Sequence, residues 1–321
     1  VVVIGTGAGG GVLSNELAQK GISVVALEAG DRHYPEDFIN DEWESFGQLA
    51  WTDARTTSGD WRVAKDFAGL PAWIVKSVGG TTQHWAGASL LDWPIDAAEM
   101  DPWYTKAEDK LQVTRTGNRP GLPGNNNFRV FEKGAKALGY KNVHTGRMAI
   151  ASRDDSDRIM CQQTGFCFQG CKWGAKWSAG YHDIEQGEAT GNLEVRPGSH
   201  VARILHDDSG KVTGGNLHFQ KARIVCLAGN SFESPRLLLN SASSMYPTGL
   251  ANSSDQVGRN YMRHMTGSVY AVFDKPVKMW RGTTMAGIIQ DEAGHNPSRG
   301  FVGGYEMETL SLGLPFMAAF L

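Results

Sequence analysis

The chain opens on four consecutive apolar, β-prone residues, Val1 to Ile4, and turns at once into Gly5-Thr6-Gly7-Ala8-Gly9-Gly10. Apolar positions then recur at Val12, Leu13, Leu17 and Ala18, the spacing of one helix face, and stop at Gly21. A second apolar run follows, "ISVVALEAG", and carries Glu28 at its end. The pattern predicts strand, tight turn, helix, strand. Further on, Ile74-Val75 is a short apolar strand running into Gly79-Gly80. "DAAEMDPWYTKAEDKLQV" has helical spacing, and "FEKGAKALGY" predicts a short helix stopped by Gly139. "RIVCLAG" predicts a buried strand ending in Gly229, and "ESPRLLLNS" a helix with Pro235 in its first turn. From Thr266 onward "GSVYAVF" and "RGFVGGYEM" read as β-prone text for an antiparallel sheet. The expected class is therefore α/β, with a parallel sheet first and an antiparallel α+β segment after it.

Composition changes this picture little. The 321 residues are 41% hydrophobic and 20% charged, enough for a large core and two domains. A net charge of -3 gives no electrostatic pull toward nucleic acid. No apolar run reaches the ~18 residues of a membrane span. The chain has no initiator Met, begins inside a strand and stops within "LGLPFMAAFL", so both ends are expected to be trimmed.

The first glycine turn carries specific chemistry. Gly5 permits the tight turn, Gly7 removes a Cβ that would block a pyrophosphate, and Gly10 lets helix and strand pack closely. The helix N-terminus offers N–H groups and a positive dipole end to phosphate. Glu28, eighteen residues past Gly10, stands where an acid bonds ribose hydroxyls. This is a Rossmann-like dinucleotide cradle in its required strand–turn–helix context. The acidic, aromatic and irregular stretch that follows, "DRHYPEDFINDEWESFGQLAWTDARTTSGDW", does not continue as regular βα units. That favours a buried flavin over NAD. The loop "VGGTTQHWAG" adds Gly79, Gly80, Thr81 and His84, whose backbone is suited to a pyrophosphate or a flavin edge.

The fingerprint ending in "LEAG", the "VGGTTQHWAG" loop, "ARIVCLAGNSFESPRLLLNS" and "VGRNYMRH" occur in the order found in glucose–methanol–choline (GMC) oxidoreductases. From Val1 to about His264 the chain resembles the FAD-binding half of that family. The resemblance implies FAD and oxidation of a CH–OH group. It implies that Val201 contacts adenine and that Ala228 and Gly229 pass close to the ADP moiety. It implies an FAD-binding domain over residues 1–265, discontinuous, with helical cover at about 91–150 and a cysteine-bearing insertion at about 151–182. Residues 266–321 would begin the substrate domain. "GGTTQHW" is similar to the arrangement in pyranose 2-oxidase-like members, where the histidine is bonded to the flavin. For His84 two readings stay open, a covalent link or a hydrogen-bonding contact. His264 reads as structural. The proton-abstracting histidine, paired with His or Asn, is expected beyond Leu321, so no catalytic residue is assigned.

"CQQTGFCFQGCKWGAK" holds three of the four cysteines, Cys161, Cys167 and Cys171, in a C-x5-C-x3-C spacing. A disulfide would leave one thiol over, and tetrahedral zinc would lack a fourth ligand. Chance packing does not suit three cysteines among so many glycines. A [3Fe–4S] cluster needs only three thiolates. Subunits of bacterial glucose, gluconate and fructose dehydrogenases within the family carry this arrangement. The likeness therefore implies hydride transfer to flavin N5, with electrons leaving singly through the cluster to a multihaem cytochrome c. The substrate would be a sugar, sugar acid or polyol. A small accessory subunit and a place at the periplasmic face of the inner membrane, reached through partners, are implied with it. Two other readings remain: a flavin oxidase using O2, or a non-catalytic flavin-binding electron-transfer module. Cys226, inside "RIVCLAG", reads as a core residue.

Overall fold

The computed structural model describes residues 1–41, 44, 74–85, 97–154, 157–215, 218–261 and 267–311. The excursion after residue 44, His264 and the final apolar stretch lie outside these residues. The described chain falls into two compact units. One takes in residues 1–34, 74–83 and 178–270, the other 35–41, 84–177 and 271–311, as far as each is described.

The first unit is built on a parallel sheet. Strand β1 (Val2–Ile4) is central, flanked by β2 (Val24–Leu27), which pairs Val2 with Val25 and Ile4 with Leu27. β1 and β2 are joined through helix α1 (Ala8–Gln19), which ends where Gly21 turns left-handed. Strand β4 (Leu193–Arg196) lies beyond β2, and β8 (Val225–Leu227) flanks β1 on its other side. The strand order is β4-β2-β1-β8, all parallel. Val3, Ala18, Val24, Ala26, Val78, Ile184 and Leu193 form the core on one face. Val2, Ile4, Ile204, Leu237 and Leu250 form it on the other. Alternate residues of β1 thus serve both faces, which is why the run is apolar throughout. A small antiparallel sheet of Ile204–His206 (β5), Val212–Gly215 (β6) and Gln220–Lys221 (β7) completes this unit.

The helix after β8 covers Asn230–Asn240. It starts earlier than the sequence reading placed it. The Asn230 Oδ1 accepts the N–H groups of Phe232 and Glu233 at 2.9 and 3.0 Å, which caps the helix there. Pro235 consequently lies past the first turn.

The second unit holds α2 (Ala97–Leu111) and α3 (Asn126–Ala137). Asn125 caps α3 by accepting the Phe128 N–H at 2.9 Å, and Gly139 follows the helix with φ +92°. Strand β3 (Val143–Thr145) pairs antiparallel with β9 (Gly287–Ile289), and β9 pairs antiparallel with β10 (Met307–Glu308). The predicted strand "GSVYAVF" does not form. Residues 267–273 have no ladder partner among the described residues, and Val269 and Val272 are 96% and 100% exposed. An apolar pattern offers a face, but a strand needs a hydrogen-bonding neighbour.

Candidate functional site

The glycine turns and the acid meet at the carboxyl end of the parallel strands. β1 ends at Ile4 and runs into Gly5, β2 ends at Leu27 just before Glu28, and β8 ends at Leu227 just before Ala228-Gly229. The chain leaves β1 toward β2 on one side, and β8 lies on the other. In open parallel sheets, the crevice outside such a switch point is where ligands bind. The backbone is held tightly here. The N–H of Gly5 donates to the Leu27 carbonyl at 2.8 Å, and that of Ala228 to the Ile4 carbonyl at 2.9 Å. Gly5 has φ +91°, and a Cβ on it would lie 2.5 Å from the Ala228 carbonyl oxygen. A Cβ on Gly10 would fall within the Gly5 carbonyl oxygen.

Gly7 precedes α1, and no side chain caps the helix start. Its N-terminal N–H groups therefore present a positive dipole end that no described side chain caps. Gly80 approaches from the second turn. A Cβ on Gly80 would lie 3.0 Å from the Gly7 Cα, so two glycine turns face each other with only backbone between them. Gly79 and Gly80 both have positive φ, and residues Gly80–Gln83 form a short 3-10 turn with Thr81 exposed on it. Gly229 donates its N–H to the Ser234 Oγ at 3.1 Å. Val201 is half-buried against the Val2, Ile4 and Ile204 cluster, two residues after Ser199, whose N–H donates to the Glu28 carbonyl at 2.7 Å.

Glu28 is buried, and its carboxylate is already engaged. Oε2 accepts the Thr6 N–H at 3.0 Å and the Thr6 hydroxyl at 2.7 Å, while Oε1 accepts the Gly30 N–H at 3.1 Å. Burial raises its pKa above the usual carboxylate value, and the bonds from Thr6 and Gly30 pull against that. Thr6 also accepts the Gly79 N–H on its hydroxyl at 3.2 Å. One threonine therefore ties both glycine turns to the acid. The sequence reading passed over it; the available signal was a hydroxyl inside a glycine turn.

The second unit carries His84 and the cysteines. His84 is buried, with Phe38 edge-on at 6.2 Å between ring centres. Its Nδ1 lies 2.9 Å from the Phe168 carbonyl oxygen. A carbonyl only accepts, so Nδ1 carries the proton, and in the neutral ring Nε2 is the nucleophilic nitrogen. The neighbouring Trp85 donates its indole N–H to the Trp177 carbonyl at 3.0 Å.

Cys161, Cys167 and Cys171 are all free thiols and pack together against Leu122, Met148, Ile150 and Ala175. The Cys171 sulfur receives the Lys176 backbone N–H at 3.4 Å. Gln163, Gly165, Gly170 and Gly174 all have positive φ, which lets a short segment curl around its own cysteines. Burial, then the neighbouring Cys167, pushes the Cys161 thiol up to about 12. Cys167 is raised by burial while the Thr284 N–H and Lys176 lower it. Burial pushes Lys176 down to about 8, and the two cysteines beside it work in the other direction. Among the described residues, no three His, Cys, Asp or Glu side chains stand as a set for a single metal ion. No described helix is long and apolar enough to cross a membrane. Lys176, unlike the cysteines, was not singled out by sequence; only its place two residues past a glycine in the segment pointed to it.

A family model described as GMC oxidoreductase matches residues 72–266, more than half of the chain. The chain belongs to the GMC oxidoreductase family. It is 31% identical to paromamine 6'-oxidase of Streptomyces fradiae, over 86% of this chain and 56% of that one. It is 26% identical to the fructose dehydrogenase large subunit of Gluconobacter japonicus, over 88% of this chain and 61% of that one. It is 28% identical to 2-methyl-1,2-propanediol dehydrogenase of Mycolicibacterium austroafricanum, over 96% and 63%. This GMC chain thus spans less than two thirds of the length of these curated relatives.

Proposed function

We propose that this GMC chain is the FAD-holding part of a dehydrogenase that oxidises a CH–OH group of a sugar, sugar acid or polyol and passes electrons to a cytochrome c. The observation that carries the proposal is the gathering of Cys161, Cys167 and Cys171 as free thiols in one packed group, with the Lys176 backbone N–H on the Cys171 sulfur. Such N–H groups stabilise negative charge on thiolate sulfur, as iron–sulfur ligation requires.

The residues present fit FAD. The uncapped start of α1 and the facing Gly7 and Gly80 leave backbone N–H groups for the pyrophosphate. Glu28 keeps lone pairs for ribose hydroxyls, and Gly79, Thr81, Val201, Ala228 and Gly229 line the remaining approach in this reading. His84, with its proton fixed on Nδ1, is the residue for the flavin edge. A flavin held by these residues would supply hydride acceptance, and a cluster held by Cys161, Cys167 and Cys171 would supply one-electron transfer. The family relative named as a large subunit supports a multi-subunit assembly; in this reading the partners are a small subunit and a multihaem cytochrome c at the periplasmic membrane face.

The test is anaerobic purification of the full-length protein, with flavin and iron assays and low-temperature EPR before and after sugar or polyol is added. Yellow protein with stoichiometric iron and a substrate-responsive signal is expected. Flavin without iron, with peroxide released in air, would replace the dehydrogenase reading with an oxidase.

A further inference from the structure

Lys176 is a cation with 1% of its surface exposed. Its Nζ donates to the Cys167 carbonyl at 2.6 Å and to the Trp85 carbonyl at 2.9 Å. Its own backbone N–H donates to the Cys171 sulfur at 3.4 Å. One residue therefore touches two of the three cysteines and fastens the backbone next to His84. Placing an ammonium out of water costs several kcal/mol in a typical case. The two carbonyls ask for a donor, which a neutral amide could also supply without the cost of a buried charge. The charge calls for a function of its own.

We infer that Lys176 is the positioning cation of the three-cysteine site, offsetting the negative charge that thiolates and their metal complex bring into a buried place. The inference rests on the cluster reading proposed above. Three thiolates each add a negative charge, and an electron entering the centre adds another. A fixed ammonium beside Cys167 and Cys171 favours the more negative state. It should therefore strengthen metal retention and raise the midpoint potential. The two carbonyl bonds hold that charge in place, since they leave the Nζ little freedom to swing away.

The experiment compares full-length wild type, Lys176→Arg and Lys176→Met, purified anaerobically. Iron per flavin is measured after dialysis against a chelator, and the midpoint potential by EPR-monitored redox titration. Lys176→Met is expected to lose about 10- to 100-fold in iron affinity, the usual cost of removing such a support, and any centre that remains should titrate at lower potential. Lys176→Arg should stay near wild type. Wild type without iron would sink the cluster reading itself. Wild type with iron, and Lys176→Met equal to it in iron and potential, would overturn the inference and leave the cluster reading standing. If Lys176→Met does not fold, the same substitution is made with all three cysteines changed to serine. Recovery of folded protein supports charge compensation; failure to recover shows a purely structural lysine and overturns the inference.

Discussion

The Nδ1 of His84 donates its proton to the Phe168 carbonyl at 2.9 Å, so the histidine of the glycine loop is oriented by the segment that bears the cysteines. The bond decides which ring nitrogen is nucleophilic. If the flavin is held covalently, Nε2 must make the link. Trypsin cuts after Lys76 and Lys106, so the peptide of residues 77–106 from the full-length protein should carry the flavin's mass and yellow absorbance. His84→Asn should release the flavin on acid precipitation. The unmodified peptide from yellow wild-type protein would leave His84 with a contact role only.

Gly10→Ala tests the cradle. The added Cβ would meet the Gly5 carbonyl oxygen, which is backbone and cannot rotate away. Overpacking of this kind costs ~1–3 kcal/mol, and here it also moves the turn that the pyrophosphate needs. A lower urea midpoint and flavin lost on gel filtration are the expected results. Gly9→Ala is the control, because nothing lies within 4 Å of a Cβ there.

Glu28→Gln tests the buried acid and its pH dependence. The amide would face at least one N–H with a donor of its own, at a cost of ~1–3 kcal/mol. The Glu28 pKa is raised in the folded protein, chiefly by burial. A carboxyl raised in this way holds its proton more tightly when folded, so its contribution to stability is full below the ordinary carboxylate pKa and falls as pH rises through the folded value. The stability gap between wild type and Glu28→Gln should therefore be widest near pH 4 and narrow toward pH 7. Urea titrations across that range measure it, and a gap that widens with pH would contradict the assignment.

Cys167→Ser tests the thiol trio. Cys167 packs with Cys161 and Cys171 against Leu122, Met148, Ile150 and Ala175. The substitution is expected to remove iron from the full-length protein and abolish its low-temperature EPR signal, while flavin stays bound. Reduction of flavin by substrate should survive and transfer to a one-electron acceptor should slow. Iron at the wild-type level would remove Cys167 from the ligand set.

Much of the parallel unit can be read from residue order. A strand buried on both faces must be apolar at every position, and the run from Val1 to Ile4 is. Gly5, Gly7 and Gly10 mark places where backbone comes too close for a Cβ, and that constraint is local enough to leave a spacing in the text. The helix starting at Asn230 was misplaced because a side-chain cap, not the proline, sets where it begins. The "GSVYAVF" strand was misread because alternation names a face and never the partner that completes a ladder.

Residue order alone settled the βαβ opening with its glycine turns and the spacing of three cysteines, since both depend on neighbours a few positions apart. It could not supply the Thr6 hydroxyl that joins Glu28 to Gly79, 22 and 73 residues away. Nor could it bring Lys176 to the carbonyl of Trp85, 91 residues distant. Hydrogen bonds of that range leave no period in a sequence. They exist only once the packed chain has shut water out and each buried donor must find its acceptor in whatever segment the fold has carried there.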